Sequence, residues 1–178
     1  MKVRIAGLIH ESVMDGPGIR STLFFQGCPH HCVGCHNPQT WSFAGGREMD
    51  TEEVVRMFRI TPLLAGVTFS GGEPFAQAEA AAAIAAKLKT RSMNLWVYTG
   101  YTWEDLLRNR EAPGFMDLIN LADVIVDGAF IESLKSSHLP YRGSDNQRII
   151  LVKESLCRNQ VVLWETPSAP NRMGLFAT

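Results

Sequence analysis

The mixed run of apolar and polar residues at 2–10 reads as a first extended segment. Asp15-Gly16-Pro17-Gly18 is a turn, with Pro17 presetting φ and the glycines tolerating positive φ. Ser21 to Gln26 is β-rich and stops at Gly27, which predicts a strand delivering Cys28 to its end. Asp50 and Glu53 form a capping-box pair ahead of Val54, Val55, Met57 and Phe58. They predict a helix closing before Thr61-Pro62. Gly66 to Ser70 reads as a short buried strand emptying into Gly71-Gly72-Glu73-Pro74. A helix follows from Phe75 to Lys89, driven by its alanine run. Asn94 to Tyr98 is the next strand, ending at Thr99-Gly100. Thr102 with Asp105 caps a short helix, Trp103 to Arg108, and Phe115 to Leu121 is another. Asp123 to Asp127 is a buried strand, followed by a loop of about twenty residues, long enough to suggest a function. Arg148 to Lys153 and Val161 to Trp164 read as the last two strands.

Strands alternate with helices after residue 50, the pattern of an α/β fold with parallel strands and right-handed crossovers. There are too few units for a closed eightfold barrel. No repeat, linker or internal boundary interrupts the chain, so residues 1–164 are expected to form one domain. The tail 165–178, with Pro167 and Pro170, has no core pattern and is expected to be loosely held.

Composition narrows the function classes. A net charge of −1 gives no electrostatic footprint for nucleic acid or an anionic membrane. No apolar run approaches a membrane span, and the first residues do not read as a signal peptide. Of four cysteines, three are clustered and Cys157 stands alone, a usage that suits a reducing cytosol and a metal. A cytoplasmic location is expected.

Cys28, Cys32 and Cys35 fall in one tight stretch that contains Pro29 and Gly34, both loop formers. Such a loop can hold one polynuclear centre. A four-iron cluster normally takes four thiolates, so three leave one iron open. A zinc site using His30, His31 or His36 competes, but no second CxxC accompanies it. A redox CxxC would leave Cys28 surplus, and purely structural thiols are the blandest alternative. Gly71 and Gly72 allow backbone to approach a ligand, and Glu73 supplies an acceptor; read alone, the segment is a turn. Thr99 and Gly128 follow strands whose ends share the rim of Cys28 if those strands are parallel.

The CxxxCxxC spacing resembles the cluster loop of the radical S-adenosylmethionine (SAM) enzymes. Val13-Met14-Asp15-Gly16-Pro17-Gly18-Ile19-Arg20, Phe24-Phe25-Gln26-Gly27 and Cys35-His36-Asn37-Pro38 resemble the activases of glycyl radical enzymes within that superfamily. Tyr141 to Ile150 (YRGSDNQRII) is similar to a segment of the activases serving anaerobic ribonucleotide reductase. The resemblance runs from about residue 5 to about residue 164.

It implies an incomplete, laterally open (β/α) barrel of the radical SAM type. It implies a [4Fe-4S] cluster on Cys28, Cys32 and Cys35, and S-adenosylmethionine held by Gly71, Gly72 and Glu73, with Thr99 a further hydrogen-bonding residue. A bulky residue at position 72 is then expected to weaken cofactor binding and spare the cluster. The implied reaction is reductive cleavage of S-adenosylmethionine to a 5′-deoxyadenosyl radical, which takes the α-hydrogen of one glycine in a partner enzyme. The implied partner is the large subunit of the anaerobic ribonucleoside-triphosphate reductase. A one-electron donor such as flavodoxin or ferredoxin would reduce the cluster. Asn146-Gln147-Arg148 is expected near the cofactor or partner, with Arg148 as a plain solvated charge competing. The three histidines are expected to pack or hydrogen-bond. Gly34 stands where many radical SAM enzymes have an aromatic residue against adenine, so adenine contact must come from elsewhere. Cys157 is read as structural or incidental. The rivals are an activase of a pyruvate formate-lyase-like enzyme, a small-molecule radical enzyme and a zinc-binding interaction module.

Overall fold

A computed structural model describes residues 1–165. The strands are β1 (Lys2–Ser12), β2 (Ile19–Phe25), β3 (Arg47–Asp50), β4 (Leu64–Gly71), β5 (Asn94–Tyr98), β6 (Val124–Asp127) and β7 (Arg148–Leu151). They form one mixed sheet in the order β3-β1-β2-β4-β5-β6-β7, which is not closed. The helices are α1 (Thr51–Met57), α2 (Ala78–Lys89), α3 (Trp103–Arg108), α4 (Phe115–Leu121) and α5 (Val152–Arg158). The expectation for the tail concerns residues that, from 166 onward, lie outside the described ones.

β2, β4, β5 and β6 run parallel, so the segments after Phe25, Gly71, Tyr98 and Asp127 leave the sheet at the same rim. The expected parallel order stops there, because β7 pairs antiparallel with β6, as β1 does with β2. A parallel neighbour needs a crossover back along the sheet. The chain after β6 instead stays in a loop at the rim and turns directly into β7.

Three further departures concern single elements. β3 is absent from the sequence-based reading because Arg47–Asp50 is a charged edge segment in which only Met49 is buried. It exists because it pairs with β1, from Lys2↔Asp50 to Ile5↔Arg47. The last expected strand, at 161–164, is no strand: a single bridge joins Ile150 to Leu163. The segment 152–158 that precedes it is helix α5. The expected helix from Phe75 starts as a 3-10 turn, Pro74–Gln77, before α2 begins at Ala78.

Side-chain alternation divides the sheet into two unlike faces. Leu23, Phe25, Val67, Phe69, Leu95, Val97 and Ile125 point to the helix side, against the alanines and Ile84 of α2 and Leu118 and Ile119 of α4. This is the main hydrophobic core. The alternate positions, Arg20, Thr22, Thr68, Trp96 and Tyr98, occupy the opposite face. There the Arg20 guanidinium is buried, donating to Thr68 Oγ1 at 2.7 Å and the Val67 carbonyl at 2.6 Å, above the Trp96 ring. Burial pulls its pKa down to about 10, so it remains a cation at neutral pH. The Thr68 hydroxyl donates to the Asp15 carbonyl, and Thr22 donates to the Asp15 carboxylate. The Asp15–Gly18 turn is thus tied to the polar face of the sheet.

Candidate functional site

The four parallel strand ends deliver the expected site residues to one place. Cys28, Cys32, Cys35, Gly71, Gly72, Glu73 and Thr99 all line a small cavity of about 110 Å³ at the rim. Cys28 is set by its N–H donating to the Trp41 carbonyl at 3.0 Å, and Cys35 by a turn back to the Cys32 carbonyl at 3.1 Å. The three thiols are partly exposed, and the Asn37 N–H points at Cys35 Sγ, 3.3 Å away. Burial pushes the Cys28 thiol up, while backbone N–H groups of His30 and His31 favour its anion. Three thiols facing one cavity, with amides turned toward sulfur, fit the donor set of an iron–sulfur cluster with one iron left without a thiolate.

Gly71 and Gly72 carry the end of β4 against the residues before Cys28. The Gly72 N–H donates to the Phe25 carbonyl and the Glu73 N–H to the Gly27 carbonyl, both at 2.8 Å. Glu73 is fully buried, and its carboxylate gathers donors from three segments. Oε1 accepts from the Phe75 N–H and Oε2 from the Gly100 N–H, at 2.9 and 2.8 Å. Thr99 Oγ1 lies 2.9 and 3.0 Å from the two oxygens, and His30 Nε2 lies 3.0 Å from Oε2.

The histidines have separate surroundings. His30 packs edge-on against Tyr101, His31 stacks on Trp41, and His36 leans on Phe130. Gly34 lies beside Glu132 of the long loop. Cys157 is exposed on α5 and lines a different cavity, about 760 Å³, near the starts of β5 and β6.

The long loop folds on itself around Gln147. Its Oε1 accepts from the Gly143 N–H at 2.8 Å, and its Nε2 donates to the Gly128 carbonyl at 2.9 Å. Asn146 donates to the Ala129 carbonyl. Arg148 is not a plain solvated charge: it donates to Asp127 Oδ1 at 3.1 Å and to Glu104 at 2.7 Å. Gln147 borders the cysteine cavity, as does Tyr98 at the end of β5, and so do Ser70 and Phe130, which sequence reasoning passed over. Alternation along β4 and β5 places Ser70 and Tyr98 on the polar face, but only the sheet order shows that this face leads to the cysteines. The same residues open on a second cavity, about 420 Å³, that also touches Met14, Asp15 and Tyr141.

The chain has counterparts among known proteins. The 4Fe-4S single cluster domain matches residues 14–150, a span that contains all three cysteines, Gly71–Glu73 and Thr99, and this defines the class. The anaerobic ribonucleoside-triphosphate reductase-activating protein of Vibrio cholerae serotype O1 is 36% identical over 145 residues, covering 77% of this chain and 90% of that one. The chain belongs to that family of activating proteins. The pyruvate formate-lyase-activating enzyme of Clostridium pasteurianum is also 36% identical, over 137 residues, but the match covers only 56% of it. Among solved structures, QueE from Escherichia coli shares 19% identity at a TM-score of 0.43, covering 57% of this chain and 54% of that one.

Proposed function

We propose that this chain is a radical SAM activase that installs the glycyl radical of an anaerobic ribonucleoside-triphosphate reductase. The observation that carries the reading is the gathering of three thiols, a glycine turn and Thr99 on one cavity at the end of the parallel strands. Cys28, Cys32 and Cys35 would hold a [4Fe-4S] cluster, and the backbone of Gly71 and Gly72, with Glu73 and Thr99 behind it, would receive the methionyl end of S-adenosylmethionine. When bound, the cluster and S-adenosylmethionine supply reductive cleavage and removal of a hydrogen from a glycine α-carbon. The protein's part is to bind and orient them and to limit access of water.

The open sheet, with helices on one face and a polar, cleft-bearing opposite face, supports reading the fold as an incomplete, laterally open barrel. The cleft suits a loop of a macromolecular substrate better than a sealed small-molecule pocket. A one-electron donor of the flavodoxin or ferredoxin class would reduce the cluster, and the setting would be the cytoplasm. A zinc site needs one of the loop histidines as a further ligand, and each has another partner: His30 meets Glu73 and Tyr101, His31 stacks on Trp41, and His36 leans on Phe130.

The test begins with anaerobic reconstitution, which should give brown protein with about four irons per chain. Cys28→Ala, Cys32→Ala and Cys35→Ala should each lose the iron, and Cys157→Ala should keep it. Reduced protein, S-adenosylmethionine and the anaerobic reductase should then produce a glycyl doublet in the electron paramagnetic spectrum. A doublet appearing only with a pyruvate formate-lyase-type enzyme would move the chain to that rival class, which its likeness to the Clostridium enzyme keeps in play. No doublet with either would favour a small-molecule substrate.

A further inference from the structure

We infer that His30 is a positioning residue: it locks the cysteine loop to the Glu73 carboxylate and so sets the cluster in register with the S-adenosylmethionine segment. The inference rests on the reading above and adds to it a residue that is neither a thiolate nor part of the glycine turn. Three contacts define the arrangement. His30 Nε2 lies 3.0 Å from Glu73 Oε2. The imidazole meets Tyr101 edge-to-face, with ring centroids 4.6 Å apart. The ring also lies over the backbone at Gly100, where a Cβ would overlap it.

The location gives these contacts their consequence. His30 stands between Cys28 and Cys32, so its side chain moves with the loop that carries them. Glu73 ends the glycine turn and also receives Thr99 Oγ1 and the Gly100 N–H. One carboxylate therefore joins the cysteine loop, the end of β4 and the end of β5. Without the histidine, the loop keeps its backbone bonds to Trp41 and within Cys32–Cys35. It loses its side-chain link to the other two segments. A hydrogen bond to a buried carboxylate is stronger than a neutral one, and leaving that carboxylate short of a donor is costly.

The test separates register from assembly. His30→Ala should reconstitute with wild-type iron and sulfide content and melt as an intact fold. It should bind S-adenosylmethionine at least about tenfold more weakly, the loss expected of one charge-assisted hydrogen bond. The cofactor-induced change in the electron paramagnetic spectrum of the reduced cluster should be diminished. His30→Gln places an amide N–H near the position of Nε2 and should restore affinity to within about threefold of wild type. Gly100→Ala leaves His30 in the sequence but displaces its ring, and should reproduce the His30→Ala spectrum. Unchanged affinity and spectrum in His30→Ala would overturn the proposal. So would loss of iron in His30→Ala, since the histidine would then be needed to assemble the cluster. Wild-type protein that holds its iron yet shows no spectral response to S-adenosylmethionine would instead overturn the underlying reading, and the proposal with it.

Discussion

Gly72 has no room for a side chain. A Cβ there would stand 2.5 Å from the Gly27 carbonyl oxygen and 3.0 Å from its carbon. The obstacle is backbone, and Cys28 is the residue after Gly27, so the neighbour cannot yield without moving the cysteine loop. Gly72→Val is therefore expected to lose iron as well as S-adenosylmethionine, measured by metal analysis and by the spectral response. This departs from the sequence-based expectation that the cradle and the cluster are separable. The glycine turn was legible as a place of close approach, but what it approaches was not. A second residue-scale effect concerns Arg148 and Glu104. The guanidinium holds the Glu104 carboxyl below the usual carboxylate range. A depressed folded-state value means the pair's contribution is present above the ordinary Glu pKa and fades as pH falls through the lower folded value. Glu104 is more than half exposed, so the contribution should stay below about 1 kcal/mol. Thermal melts of wild type and Glu104→Gln should differ slightly at pH 7 and converge as the solution is acidified.

Short elements depend on their ends. α3 has only six residues and is closed by a capping box: Thr102 accepts from the Asp105 N–H at 3.2 Å, and the Asp105 carboxylate accepts from the Thr102 N–H. Thr102→Ala should cost about 1 kcal/mol, read from denaturant midpoints. That cap was visible in the sequence because its partners lie three residues apart. So was the α1 cap, where Glu53 accepts from the Asp50 N–H at 3.1 Å. The second anchor of α3 was not visible. Asp127 accepts from the Trp103 N–H at 2.7 Å across 24 residues, and nothing local marks that pairing. The same rule explains the larger departures. β3 is defined by β1 rather than by its own pattern. Residues 161–164 look strand-like but meet β7 through a single bridge. The cysteine loop and the glycine turn were legible because their chemistry is local. The links of Glu73 to His30, Thr99 and Gly100 arise from strand order, which the sequence does not spell out.

At the scale of the whole molecule, exposed apolar side chains border the cleft. Met14 is 77% exposed and lies in the lining that includes Cys35. Val33 is 73% exposed and sits between Cys32 and Cys35. The Glu132 side chain of the long loop reaches Gly34, and its neighbours Ile131 and Leu134 are also exposed. Apolar surface left in water around a site is favourable to cover, at roughly 25 cal/mol per Å². A protein substrate reaching the cleft with a glycine loop would cover it; a small molecule would not. Leu134→Glu and Met14→Lys are therefore expected to keep iron content and the spectral response to S-adenosylmethionine, yet to need a higher reductase concentration for half-maximal glycyl radical. Leu63→Glu is the matched control. Leu63 is 75% exposed but precedes β4, at the opposite end of the parallel strands from the cysteines. Its variant should activate the reductase as wild type does. Equal losses in Leu63→Glu and Leu134→Glu would show that the apolar border of the cleft is not where the partner sits.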